Sequence, residues 1–148
     1  MRLKLLKKRK EKENLAKEHA VKSLEKLKEQ EKSIEKLPNG ILLFISKPDN
    51  YGQEAIKIYI ENKIKTDLNS TFIITDINEE NKLTFYVGIT KDLIQKGFKA
   101  KDIVNKIAEV TGGRGGGRDD FAQAGGKDIS RVSEALELGK NFISKPEM

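Results

Sequence analysis

Gly112-Gly113-Arg114-Gly115-Gly116-Gly117-Arg118-Asp119-Asp120-Phe121-Ala122-Gln123-Ala124-Gly125-Gly126-Lys127-Asp128 holds seven of the chain's twelve glycines. Each glycine loses more backbone freedom on folding than any other residue, so a cluster this dense marks left-handed backbone or very close approach. Arg114, Arg118 and Lys127 in the same stretch suit an anionic partner. Both neighbouring segments read as helices. Lys101–Val110 places Ile103/Ile107 and Val104/Ala108 on one side, and Asp128 caps a last helix whose Ile129, Val132, Leu136 and Ile143 point one way. Phe121–Ala124 leaves room for one short strand between them. Gly112–Gly117 is therefore expected to be a helix-ending, close-packing loop that exposes Arg114 and Arg118. Ala124–Asp128 is expected to be a strand-to-helix turn, presenting Lys127 and free N–H groups where a helix dipole favours anions.

A nucleotide loop fits poorly. A P-loop would end in Gly-Lys-Ser/Thr, and a dinucleotide fingerprint would follow a strand and open a helix. Here the glycines follow a helix, and no Ser or Thr is placed to hold a metal ion. Asp119 and Asp120 are adjacent, and adjacent loop carboxylates rarely converge on one substrate. Phe98 and Phe121 could stack on a base, but are expected to close the core.

Moving outward, Ile41–Ile45 is a short apolar run consistent with a strand buried on both faces. Gln53–Lys65 stacks Ala55/Tyr59 and Ile56/Ile60/Ile64 at helical spacing, although Ile56, Ile58 and Ile60 also alternate; length favours helix. Thr71–Thr75 and Leu83–Ile89 read as neighbouring strands around an Asn78–Asn81 turn. Thr90 can cap a short helix through Lys96, with Gly97 beyond its end. Residues 1–37 lack Gly and Pro and are rich in Lys, Glu and Leu. They are expected to form one exposed helix broken at Pro38-Asn39-Gly40, with a thin apolar seam including Ala20, Leu24, Leu27 and Ile34. The fold class is thus α+β, an α/β sandwich. A helical arm over 1–37 leads into a globular part over 38–148, with a small mixed sheet of about four strands packed with helices.

Composition removes several functions. With no Cys, disulfides, thiol catalysis and thiolate zinc sites are excluded; a single histidine, His19, leaves no His-rich metal site and makes a catalytic His improbable. No catalytic or metal-ligating residue is expected. No apolar run suits a membrane span or a signal peptide, so a cytoplasmic protein is the expectation. The net charge of +6 is uneven. Residues 1–12 carry seven basic side chains against Glu11, everything after them sums to zero, and residues 91–131 hold nine Lys/Arg against six Asp/Glu.

The run Gly113–Asp128 resembles the C-terminal domain of alanyl-tRNA synthetase, a domain also found attached to Asp-His-His phosphoesterases. The Ala100–Val110 helix, the Val87–Leu93 strand-to-helix join and the Ser133–Glu137 segment share the resemblance, which covers about 38–143. The phosphoesterase relatives tend to carry His where this chain has Arg118. The resemblance implies a non-catalytic domain that holds the tRNA elbow, where the D and T loops meet, supporting aminoacylation and editing by a full enzyme. It implies tRNA(Ala) and the rest of a synthetase as partners, and associates the preceding helices with coiled-coil pairing into a homodimer. ATP and zinc would then be needed only in other parts of that enzyme, of which this chain would be a fragment. An elbow binder holds RNA by shape and phosphates. The expected contacts are Lys99, Lys101, Arg114, Gly115, Gly116, Gly117, Arg118, Gln123 and Lys127, with Gln123 favoured as a buried hydrogen bonder. Two alternatives stand beside it: a substrate-holding domain of an Asp-His-His phosphoesterase, and a dimerisation module.

Overall fold

The computed structural model describes residues 17–144. Residues 17–29 form helix α1, followed by a 3-10 turn at Gln30–Ser33. The remaining elements are β1 (Glu35–Lys36), β2 (Leu42–Ile45), α2 (Gln53–Thr66), β3 (Ser70–Ile77), β4 (Leu83–Ile89), α3 (Lys91–Gln95), α4 (Ala100–Val110), β5 (Arg114–Gly117), β6 (Phe121–Gly126) and α5 (Val132–Ser144). One six-stranded sheet runs β1-β2-β3-β4-β6-β5. Only β2 and β3 are parallel, joined by the α2 crossover; the other pairings are antiparallel.

Strand alternation sorts the core into two layers. Leu43, Ile73, Phe85, Val87, Ala122 and Ala124 point to one face, where Ile103, Val104 and Ile107 of α4 meet Ala135 and Ile143 of α5. Phe44, Phe72, Ile74, Tyr86 and Phe121 point to the other, under Ile56, Tyr59 and Ile60 of α2 and Leu27 of α1. The α+β class holds, with helices on both faces. A Cβ at Gly88 of β4 would lie 2.1 Å from Ile60 Cγ2, so the bare backbone there lets α2 settle close to the sheet.

Two strands were not expected. The arm does not remain helical to Pro38: the helix ends at residue 29, and Glu35 and Lys36 pair with Leu43 and Leu42. Leu37 N–H donates to Ile41 O at 2.8 Å, so Pro38-Asn39-Gly40 turns a hairpin rather than ending a helix. Ile34 consequently leaves the seam and is exposed. The other is β5: Arg114–Gly117 is an edge strand, not a loop, because β6 offers it a complete antiparallel partner. Ile129 sits in a 3-10 turn, Ile129–Arg131, and is exposed rather than inward. The basic segment Met1–Lys12 and the first turns of the arm lie outside the described residues.

Candidate nucleic-acid interface

Residues directly opposite each other in a sheet share a face. The rows Thr84–Gly125–Arg114 and Tyr86–Gln123–Gly116 run across β4, β6 and β5, and Gly88 stands opposite Phe121. All belong to the face that α2 covers, since Tyr86 and Phe121 lie in that core layer. The cover stops partway across. Phe121 and Tyr86 are buried, whereas Gln123, Gly125 and Arg114 are exposed. Gln123 is therefore not the buried hydrogen bonder expected, because on this face no helix of the described residues covers that half of β6.

Arg118 closes the row. Its N–H donates to Phe121 O at 2.9 Å across the turn between β5 and β6, and its guanidinium carbon lies 6.0 Å from the Phe121 ring centroid. Arg114 and Gly116 thus lie on the open face, and Arg118, one residue past the end of β5, is held beside it by the Phe121 ring. Arg118 Nε pairs with Asp120 Oδ1 at 3.0 Å, and Lys101 Nζ with Asp119 Oδ1 at 3.4 Å. The adjacent aspartates are ion-pair partners of two separate cations. Both pairs are substantially exposed, so each contributes little. Arg114 has no ion pair or side-chain hydrogen bond among the described residues.

The other predicted positions divide. Gly115 and Gly117 serve the sheet: a Cβ on Gly115 would lie 2.2 Å from Gln123 O, and Gly117 has φ +151 with Ala122 Cα 2.7 Å from its notional Cβ. Lys99 and Lys101 stand at the start of α4, beside the 118–121 turn, where Ala100 N–H donates to Asp119 O at 2.7 Å. Lys127 stands beyond the far end of α4. Its N–H and that of Asp128 both donate to Thr111 O at 3.0 Å, and Asp128 Oδ1 accepts from Ser130 N–H. The N–H groups expected to receive an anion at this turn are engaged internally. Phe98 is half-buried against the core and Phe121 is buried, so neither is a free stacking platform.

The outer edge of β5 is hydrogen-bonded to α4. Gly113 N–H donates to Ala108 O and Gly115 N–H to Asn105 Oδ1, both at 2.9 Å, which ties the edge strand to α4. The face, not the edge, is what β5 offers. Gly125 and Thr84 belong to that face and escaped the sequence reading; counting alternate positions on from Phe121 would have placed Gly125 there. Among the described residues no cluster of His, Asp and Glu could hold a metal ion.

The DHHA1 domain matches residues 39–145. The chain belongs to the DHHA1 family. Among curated relatives, an alanine–tRNA ligase of Fusobacterium nucleatum is 41% identical over 85% of this chain, and one of Natranaerobius thermophilus is 33% identical over 84%. The match takes up only 16% of either ligase. The C-Ala domain of Aquifex aeolicus alanyl-tRNA synthetase superposes with a TM-score of 0.67 at 25% identity, covering 76% of this chain and 98% of that domain. A DHH-domain protein assigned to a family of ribosomal proteins shares the fold, with a TM-score of 0.59 at 18% identity, over 89% of this chain and 32% of its own. The resemblance seen in the glycine stretch thus extends over the whole DHHA1 domain.

Proposed function

We propose that this DHHA1 chain is the tRNA-holding C-terminal domain of an alanine–tRNA ligase and grips the tRNA elbow. The observation that carries it is the pair Arg114 and Arg118, flanking Gly116 on a sheet face that no helix of the described residues covers. Guanidinium groups suit phosphate oxygens, and phosphate contacts fix position without reading sequence, as a shape binder requires. The similarity to alanine–tRNA ligases over a small part of their length supports a role subordinate to a larger enzyme. In this reading aminoacylation and editing, with their ATP and zinc, belong to other parts of a cytoplasmic ligase. The site set includes Lys99, Lys101 and Lys127 as outlying phosphate contacts, with tRNA(Ala) as the substrate held. The arm then serves to pair two copies, and sedimentation of the full chain as a strict monomer at all concentrations would remove that part of the proposal.

The main test is titration of the chain with native tRNA, and with the same tRNA after its tertiary corner has been melted, at several salt concentrations. Preference for the folded form is expected, with log affinity falling against log salt at a slope of a few units for about four neutralised phosphates. Equal affinity for both forms, or an affinity indifferent to salt, would refute the reading.

A further inference from the structure

Asn39-Gly40, in the turn between β1 and β2, is the one Asn-Gly step in the chain. Every other asparagine is followed by a residue with a side chain, which hinders attack of the next backbone nitrogen on the carboxamide carbon. Asn39 is thus the chemically most labile asparagine, yet the fold requires both residues. Gly40 holds φ +89, a left-handed conformation that favours glycine. Asn39 Nδ2 donates to Ile143 O at 2.8 Å while its Oδ1 accepts from Ile41 N–H at 3.1 Å, so the position needs a donor and an acceptor on one short side chain.

The contacts that demand the step also keep it from reacting. Gly40 N–H donates to Leu37 O at 2.8 Å and Gly40 O accepts from Asn69 Nδ2 at 2.6 Å, which fixes the nucleophilic nitrogen from both sides. The carboxamide is fixed by α5. Ile143 lies in the last turn of that helix, where carbonyls run out of intrahelical donors and take them from elsewhere. Beside it Lys140 Nζ pairs with Glu35 Oε2 of β1 at 2.9 Å, and Leu37, Ile41 and Ile143 are buried in one core layer. The hairpin and the end of α5 form one packed unit, with the Asn39 side chain bridging them.

We infer that Asn39 is a deamidation site gated by α5, closed while the helix end holds the carboxamide and opened when that end undocks. In the reaction Gly40 N bonds to Asn39 Cγ and gives its proton to solvent. The Cγ–Nδ2 bond breaks, and ammonia leaves with a proton taken from solvent. Water then opens the cyclic imide at either carbonyl, leaving aspartate or isoaspartate. The product cannot remake the bridge. A carboxylate has no donor for Ile143 O, and it sets negative charge against a helix C-terminus whose dipole is already negative there. An opening of α5 that lasts long enough to react is thereby made permanent. This inference is independent of RNA binding.

The test incubates the full chain in mildly alkaline buffer, with and without denaturing urea, and follows conversion of Asn39 by peptide mass spectrometry. Wild type should react more slowly in native buffer than in urea by about tenfold or more, because only opened molecules react. Ile143→Ala, which loosens the end of α5, should raise the native rate about tenfold in a chain that is still folded. Leu27→Ala, a cavity in the opposite core layer, should leave that rate near wild type. Asn39→Asp should lower the thermal midpoint and speed amide hydrogen exchange in α5. Equal rates in native buffer and in urea would overturn the gate. So would equal acceleration by the Leu27 and Ile143 variants, or a wild-type midpoint in Asn39→Asp. Should either alanine variant fail to fold, Ile143→Val and Leu27→Val carry the same comparison.

Discussion

Gly115 and Gly116 are consecutive in one strand and obey opposite constraints. A Cβ on Gly115 would meet the main chain of β6 at 2.2 Å from Gln123 O and 2.4 Å from Ala124 Cα, and backbone of a paired strand cannot step aside cheaply. Gly115→Ala should therefore destabilise the chain by about 1–3 kcal/mol or more, the usual cost of overpacking. Gly116→Ala, free of any such contact, should be neutral or stabilising by up to about 1 kcal/mol through the unfolded state. Urea titration of the two variants checks the contrast. Tyr86 supplies a residue-scale prediction of another kind. Burial, and secondarily the charge of Asp76, push its phenol up to about 12 from 10.0. The folded state then holds its proton more firmly than the unfolded state, so the contribution is complete below pH 10. It is lost as pH rises from 10 through 12, costing on the order of 2–3 kcal/mol. Tyr86→Phe should flatten that segment of a stability-against-pH curve measured by chemical denaturation.

At the scale of elements, α1 and β1 show that the arm is bound into the domain it precedes. Ser23 and Leu27 of α1 are buried, and Leu27 is fully so among Phe44, Tyr59 and Phe72. The 3-10 turn adds Glu31, which accepts from Tyr59 Oη at 2.7 Å and pairs with Lys63 at 2.6 Å on α2. Burial opposes ionisation of Glu31, but the Lys63 and Tyr59 hydrogen bonds and the Lys63 charge outweigh it and hold the carboxyl below its ordinary range. Leu27→Ala should cost about 2–5 kcal/mol, as for other large-to-small core changes. An arm only loosely attached would show no shift in the unfolding midpoint. The Ala20, Leu24, Leu27 spacing made the helical seam legible in the sequence, and the α2 and α4 stripes were equally plain. β1 and β5 were not. Two charged residues, or three glycines behind an arginine, carry no alternation to read, and both strands exist because β2 and β6 present them with an unpaired ladder. The register of β5 then decides that Arg114 and Gly116 share a face, and the contact with the Phe121 ring brings Arg118 to it.

For the whole molecule, what matters is where the helices stop. Among the described residues, α4 and α5 cover one face, α1 and α2 the β2–β4 part of the other, and the β5–β6 corner is left open with its arginines outward. If that corner meets phosphates, Arg114→Gln and Arg118→Gln should each weaken tRNA binding and lower the salt slope by about one unit, uniformly across tRNA sequences. The larger loss should fall on Arg114, which has no carboxylate to replace, whereas Arg118 exchanges Asp120 for its ligand. Titrations of each variant across a salt series measure both quantities. Among the described residues no helix is long and apolar enough to cross a membrane.

By itself the sequence determined the helices and strands that carry an apolar stripe, because their periods are written into neighbouring positions, but not β1 or β5. The absence of Cys and a single histidine limited its chemistry, and the Gly113–Asp128 run carried the family. Only the tertiary structure decided which glycines the fold requires, that Gln123 stands in the open, and that Asp119 and Asp120 answer different cations. Those outcomes depend on pairing between strands distant from one another in the chain and on the reach of a helix packed from above. Neither is encoded within the seventeen residues of the glycine stretch itself.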